Sequence, residues 1–138
     1  MKIATFNIWN SDRGMPERKH QIVTEIQTVN ADIIGLQEVQ TEMFSWLCKE
    51  ISEYKYHYFH TFETEYDGLV VFSKMPIIIK KPLRSAILTV CENDKMKILV
   101  VNVHLPWDSS LQREHDIVEI VKEIQDVPGD GAILLGDF

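Results

Sequence analysis

Residues 32–39 place one carboxylate at the end of a short apolar run, and this combination restricts how the chain can fold. The run, Asp-Ile-Ile-Gly-Leu-Gln-Glu-Val, is rich in residues that favour β-strands. In a regular strand Ile34, Leu36 and Glu38 alternate onto one face, so the carboxylate emerges in line with residues that should be buried. An unpaired buried carboxylate is costly. We therefore expect Glu38 either to meet a metal ion or hydrogen-bond donor at the carboxyl end of the strand, or to leave the sheet and be solvated.

The length and composition are those of one globular domain, with 138 residues of which 45% are hydrophobic. The formal charge of −7 argues against nonspecific polyanion binding through a broad basic face, although it is compatible with a local basic patch. No apolar stretch is long enough for a signal peptide or a membrane span. Cys48 and Cys91 lack metal-type spacing and favour unlinked thiols in a reducing compartment. We therefore expect an unexported, cytoplasmic protein, and a monomer.

Apolar β-prone segments alternate with amphipathic helices along the chain. Helices are predicted from about Pro16, after a cap at Thr41, and after a cap at Ser109 or Ser110. Strands are predicted at residues 2–7, 32–39, 54–62, 68–73, 77–79, 86–90, 96–104 and 132–135, the last of them buried. Pro82 favours an edge or a bulge, and a turn at residues 92–94 favours antiparallel pairing of its neighbours. The third helix is predicted to bury a stripe formed by Ile117, Val118, Val121 and Ile124.

Four of these strands end in a side chain capable of polar chemistry: Asn7, Glu38, His104 and Asp137. A sheet that places the four strands side by side in the same direction would gather all four side chains at one rim. An amide oxygen and a carboxylate are the hard ligands that Mg²⁺ favours, whereas zinc would require more His or Cys. His104 can hydrogen-bond a phosphate oxygen, and Asp137 can orient or deprotonate an attacking water.

Five segments, in their order and spacing, resemble the endonuclease/exonuclease/phosphatase superfamily, the fold of pancreatic deoxyribonuclease. They are Thr-Phe-Asn-Ile at 5–8, Ile-Gly-Leu-Gln-Glu-Val at 34–39, Gly-Leu-Val-Val-Phe-Ser-Lys at 68–74, Val-Asn-Val-His-Leu at 101–105 and Leu-Leu-Gly-Asp-Phe at 134–138. The resemblance implies an α/β fold in which a two-layer β-sandwich is flanked by helices, giving four layers α/β/β/α. It also implies cleavage of phosphate esters with Mg²⁺, or alternatively Mn²⁺. Asn7 and Glu38 would match metal-side residues, His104 the phosphate-contacting His, and Asp137 the Asp that positions or activates the nucleophile.

The resemblance covers about the first half of a family domain. The family's Gly-Asp motif normally continues to an Asn, and further strands, a late Asp and the catalytic His of a Ser-Asp-His segment follow; this sequence contains none of these. Residues 1–138 are therefore predicted to be one domain truncated at its carboxyl end, inactive and poorly soluble as a fragment.

The substrate class stays open between several phosphate esters. Abasic-site nucleases of the superfamily carry a Tyr followed by Pro-Asn where this chain has His-Leu-Pro-Trp at 104–107, and some nuclease members are acidic where this chain has Trp9. His104 resembles instead the branches that act on lipid, inositol or nucleotide phosphates, and the deoxyribonuclease itself. We predict a Mg²⁺-dependent phosphoesterase; the alternatives are a nuclease acting on DNA or RNA and a non-catalytic binding domain that retains the fold.

Two further residues near the predicted rim have open roles. Trp107 either stacks on a base, sugar or acyl group or packs on the following helix. Arg113 either reaches a phosphate or lies on a solvated helix face.

Overall fold

The computed structural model describes residues 1–62 and 66–138, which form eight strands and three helices. All eight predicted strands and all three predicted helices are present, and most have shifted ends. In chain order the elements are β1 (Ile3–Asn7), α1 (Glu17–Val29), β2 (Ile33–Gln40), α2 (Thr41–Glu50), β3 (Tyr56–Thr61), β4 (Asp67–Ser73), β5 (Ile77–Pro82), β6 (Ala86–Asn93), β7 (Met96–His104), α3 (Ser110–Gln125) and β8 (Gly131–Asp137).

The strands form two sheets that pack face to face. The first sheet has the order β1-β2-β4-β3 and the second the order β5-β6-β7-β8. Helices α1 and α2 cover the outer face of the first sheet, α3 covers the outer face of the second, and a separate apolar layer lies between the sheets. The predicted four-layer α/β/β/α sandwich is thereby confirmed.

The four strands with polar ends form two parallel pairs in different sheets. β1 pairs with β2 and β7 pairs with β8, and each pair is connected through a helix. The expectation that one sheet would hold all four strands side by side is therefore wrong. The ends still meet, because the sheets stack with β1 against β8 and β2 against β7. Stacking of two sheets, rather than hydrogen bonding within one, assembles the rim.

Strand β2 contains a β-bulge at the position of the predicted carboxylate. Leu36 pairs with Val70 and Val39 pairs with Gly68, so two residues of β2 stand opposite one residue of β4. Glu38 lies in the bulge with a left-handed backbone, φ 58°. The expected regular alternation up to Glu38 is therefore wrong, because the extra residue turns the side chain out of the strand's alternating pattern.

The starts of two helices and the position of one turn can be compared with the predicted ones. Ser109 caps α3 by accepting a hydrogen bond from the Gln112 N–H at 3.2 Å, as predicted. Thr41 is the first residue of α2 and not its cap; Gln40 occupies the cap position without a side-chain hydrogen bond. The β6–β7 turn lies later than predicted, at residues 94–95, because β6 continues through Asn93.

The buried face of α3 differs from the predicted stripe. Val118 and Val121 are 70% and 47% exposed, so their predicted burial is wrong. The helix presents Asp116 and Ile120 to the second sheet instead. Asp116 is tolerated there because its carboxylate accepts hydrogen bonds from Ser85 and, at 2.5 Å, from the amide of Gln112. Because the polar residue Asp116 lies on the inward face, the buried side of α3 differs from the side that carries Val118 and Val121.

The second sheet ends in two edge strands among the described residues. β5 is an edge strand that ends at Pro82, in agreement with the prediction. β8 buries Leu135, whereas Leu134 is exposed, so the prediction of a wholly buried final strand is wrong. Its only strand neighbour in the described part of the chain is β7.

Cys48 and Cys91 are free thiols, and no described helix has the length and apolar character needed to cross a membrane.

Candidate active site at the sandwich rim

Glu38 is held at the rim by donors from two neighbouring segments. The amide of Asn7 donates to Glu38 Oε1 at 2.7 Å, and the backbone N–H of Asn10 donates to Oε2 at 3.1 Å. His104 Nε2 lies 3.7 Å from Oε1, across the gap between the sheets. A left-handed backbone at a non-glycine residue costs free energy and persists where its surroundings hold it. These contacts on both carboxylate oxygens are the restraints that hold Glu38 in that conformation.

Asn7 joins the two carboxylates of the rim. Its side-chain NH₂ donates to Glu38 Oε1 at 2.7 Å and to Asp137 Oδ2 at 2.9 Å, so one amide bridges the first sheet to the second. Its Oδ1 accepts the N–H of Trp9 at 2.9 Å. In this geometry the amide nitrogen, and not the oxygen, faces the carboxylates. The role of Asn7 as a metal ligand stays a prediction.

His104 and Asp137 are paired residues at the ends of the parallel strands β7 and β8. Gly136 makes this pairing possible: its φ is 141°, and a Cβ there would lie 2.0 Å from the carbonyl oxygen of Val103. Only a residue without a side chain lets β8 approach β7 so closely at this point. The structure thus brings together all four predicted site residues, and ligating atoms of Glu38, His104 and Asp137 lie within 4.8 Å of one another.

A buried amide pair connects the two sheets directly beneath the rim. Gln37 donates to Asn102 Oδ1 at 2.6 Å and to Thr5 Oγ1 at 3.0 Å. The NH₂ of Asn102 donates to the carbonyl oxygens of Leu36 at 2.9 Å and Val70 at 3.0 Å. Gln37 precedes Glu38, and Asn102 lies two residues before His104. The pair therefore ties the backbone of the bulge to the strand that carries the histidine.

Gly35 provides the space for this connection. A Cβ at Gly35 would lie 2.1 Å from Leu135 Cδ1 and 3.0 Å from Asn102 Cγ. The missing side chain lets Asn102 reach across the interface to the backbone of the first sheet.

Three polar residues around Glu38 were not among the predicted site residues. Asn10 donates its side-chain amide to Asp67, and its carbonyl oxygen accepts from the Gln40 amide at 2.6 Å. Arg18 donates to the carbonyl oxygens of the same loop, including that of Trp9 at 2.7 Å. Asp67 is the first residue of β4, and because β4 runs antiparallel to β2, the start of β4 lies beside the end of β2 at this rim. A polar residue at the start of a strand is therefore the sequence signal that could have identified Asp67.

The positions of Trp107 and Arg113 each exclude one of the two roles predicted for them. Trp107 is 92% exposed, so packing on the following helix is wrong. The guanidinium of Arg113 donates to the carbonyl oxygens of Pro106 at 2.9 Å and Trp107 at 3.1 Å. Arg113 therefore holds the loop that carries the tryptophan and is not simply solvated.

The donor set at the rim fits a hard divalent cation. Two carboxylates and one imidazole converge there, and carboxylate oxygens are preferred ligands of Mg²⁺ and Mn²⁺. A cation between Glu38 and Asp137 would offset the repulsion of two carboxylates that a single amide now bridges. One His and no Cys in this group is a poor donor set for structural zinc.

Solved structures with this fold include proteins that act on nucleic acids or nucleotides, by their descriptions. D. rerio TDP2 complexed with a single-strand DNA product is 16% identical, with a TM-score of 0.84 over 99% of this chain and 60% of that chain. A functionally unknown conserved protein from Enterococcus faecalis is 21% identical, with a TM-score of 0.73 over 99% of this chain and 66% of that one.

ANGEL2, described as a 2',3'-cyclic phosphatase in complex with adenosine-2',3'-vanadate, is 15% identical, with a TM-score of 0.75 over 99% of this chain and 52% of that one. The chain thus spans between about half and two thirds of these proteins, and at such identities the likeness shows the fold. No curated protein sequence matches the chain. The model of the Endonuclease/Exonuclease/phosphatase family matches residues 4–138, nearly the whole sequence, and the chain therefore belongs to that family.

Proposed function

We propose that the protein carrying this sequence is a Mg²⁺-dependent phosphoesterase that hydrolyses its substrate by attack of an activated water. The observation that carries the proposal is the convergence of Glu38, His104 and Asp137 within 4.8 Å from two different sheets. Two carboxylates and one imidazole that converge on one point can hold a divalent cation beside a phosphate, and family membership supports phosphoester chemistry.

Glu38, with help from Asn7, would hold the cation, and the amide of Asn7 also bridges Glu38 to Asp137. A bound divalent cation supplies Lewis acidity and neutralises charge on the phosphate. Mn²⁺ has the same ligand preferences and is the alternative ion.

His104 would donate from Nε2 to a non-bridging phosphate oxygen and so stabilise the negative charge that develops in the transition state. Its backbone is fixed for this task, because its N–H donates to the carbonyl oxygen of Ser85 at 2.9 Å. Asp137 would orient the attacking water and accept its proton. Both residues then act from the same side of the rim, at the paired ends of β7 and β8.

A nuclease acting on DNA or RNA is the second candidate. The description of TDP2 with a single-strand DNA product favours it, and that of ANGEL2 with an adenosine derivative favours a nucleotide-type ester. The formal charge of −7 disfavours long polyanions unless a local basic surface compensates. A non-catalytic binding domain would have no need for the assembled four-residue rim. That residues 1–138 form the first part of a longer domain, and that the protein is a monomer, stay predictions.

The test is hydrolysis of nucleic acids, nucleotides, inositol phosphates and phospholipids by the natural protein, with and without Mg²⁺. Glu38→Gln should lower kcat/KM by about 100-fold or more, since it removes a carboxylate that would hold the cation at the reacting phosphate. Glu42→Gln is the matched control, because Glu42 is an exposed carboxylate four residues away. Equal activities of the two variants, or hydrolysis that ignores divalent cations, would contradict the proposal.

A further inference from the structure

An open groove of about 810 Å³ has His104 in its lining. The groove is also lined by the end of β3, the turn that joins β5 to β6, the loop after β7 and the first turns of α3. Its size is in the range of small-molecule sites, roughly 300–1,000 Å³. Since His104 belongs to both the groove and the candidate site, a phosphate ester bound at the rim would extend its organic part into the groove.

Trp107 lines this groove on a loop that is held in place on both sides. The N–H of Leu105 donates to the Asp137 carbonyl oxygen at 3.1 Å, and Arg113 binds the carbonyl oxygens of Pro106 and Trp107. The indole is nevertheless 92% exposed. Its loop is thus fixed while the ring itself packs against almost nothing, which is the arrangement of a ring prepared to stack on a ligand.

The charges of the groove favour some organic groups over others. Among the described residues its lining contains the carboxylates of Asp108 and Glu119 and the buried, already hydrogen-bonded carboxylate of Asp116, against one arginine, Arg84. This balance repels an inositol polyphosphate or a long polyanion. Acyl chains are disfavoured because charged side chains interrupt the apolar lining. A flat, uncharged heteroaromatic ring satisfies both conditions: its faces can stack on Trp107, and its edge can donate hydrogen bonds to carboxylates.

We propose that the groove beside His104 is a ring-stacking subsite in which Trp107 receives the nucleobase of a small nucleotide-type phosphate ester. This inference rests on the proposed function, since it places the phosphate at Glu38, His104 and Asp137. At this subsite the ring of the ester, and not its phosphate alone, determines which ester binds.

Binding of adenosine 5′-monophosphate and ribose 5-phosphate to the natural protein separates the ring from the phosphate. Calorimetric titration of the natural protein with saturating Mg²⁺, using the methylene phosphonate analogues of the two compounds, which cannot be hydrolysed, measures both affinities without turnover. The nucleotide should bind roughly tenfold or more tightly than the sugar phosphate, which is the lower range of a base stacked on an aromatic side chain. Trp107→Ala should remove most of this ratio and leave the affinity for ribose 5-phosphate unchanged, whereas Trp107→Phe should keep part of it.

Leu111→Ala is the control, because Leu111 is also an exposed apolar residue, 76% accessible, near the same loop but outside the groove lining. It should leave both affinities unchanged. Equal affinities for the two phosphates, no binding of the nucleotide, tighter binding of inositol 1-phosphate, or a ratio unaffected by Trp107→Ala would each overturn the subsite.

The subsite and the proposed function can fail separately. A protein with intact Asp137 that binds the nucleotide through Trp107 but hydrolyses no ester would keep the subsite and refute the phosphoesterase. Mg²⁺-dependent hydrolysis with no preference for the ring would keep the phosphoesterase and refute the subsite.

Discussion

Replacing Asn102 by leucine tests whether the buried amide pair sets the geometry of the candidate site. The variant removes three hydrogen bonds: from Gln37 at 2.6 Å, and to the carbonyl oxygens of Leu36 at 2.9 Å and Val70 at 3.0 Å. Because each lost bond leaves a buried partner group behind, at about 1–3 kcal/mol for each group, the loss in the free energy of unfolding should be roughly 3 kcal/mol or more. Leucine is close to asparagine in shape, so a cavity should add little to that figure.

The same variant should change the site, because the lost bonds connect the bulge at Glu38 to the strand of His104. We expect the Mg²⁺ concentration for half-maximal activity to rise about tenfold, in protein shown by circular dichroism to be folded. A purely structural loss would lower the active fraction and kcat but leave the Mg²⁺ dependence unchanged.

Thr89→Val provides the matched control for Asn102→Leu. Thr89 is fully buried in β6 and donates one hydrogen bond to the Val100 carbonyl oxygen at 3.2 Å, away from the rim. Urea denaturation should show a loss of about 1 kcal/mol, with an unchanged Mg²⁺ dependence. If Asn102→Leu retains wild-type stability, or shifts the Mg²⁺ dependence no more than Thr89→Val, the positioning role of the amide pair is refuted.

Three further perturbations follow from local geometry. Gly136→Ala should cost about 2 kcal/mol or more in urea denaturation, because its Cβ would meet the Val103 carbonyl at 2.0 Å and its φ is 141°; wild-type stability would contradict this reading. Burial, with a nearby lysine, lowers the pKa of His57, so the unfolded chain binds more protons below about pH 6.5; stability should be complete above that pH and fall as the pH decreases. His57→Phe should weaken this acid sensitivity. Burial raises the pKa of the Cys91 thiol, so iodoacetamide should label it only when the protein unfolds, and rapid labelling of the native protein would refute its burial.

Local periodicity and residue type determined the elements and the identity of the candidate site residues. The cap at Ser109, the edge position of Pro82 and the strand ends at Asn7 and His104 all follow from the properties of a few neighbouring residues. The five family motifs added the layer architecture, because their order along the chain corresponds to the order of strands in a known sandwich. These features are local or sequential, which is why they can be predicted from one chain.

The detailed geometry of the site depended on contacts between residues far apart in sequence. No residue type around Glu38 indicates a left-handed backbone, and the bulge persists through Asn7, Asn10 and the amide pair beneath it. The periodicity of α3 likewise could not show that Asp116 faces inward, since its partner Ser85 lies on another element.

Which groups the rim contains follows from local sequence, because a strand's end and its polar residue are neighbours in the chain. How those groups meet depends on tertiary packing. The four strand ends belong to two sheets, and their separation depends on how closely Gly35 and Gly136 let the strands approach. Trp107 shows the same division. The sequence places it three residues after His104, whereas its exposure follows from a loop that is anchored to β8 and α3.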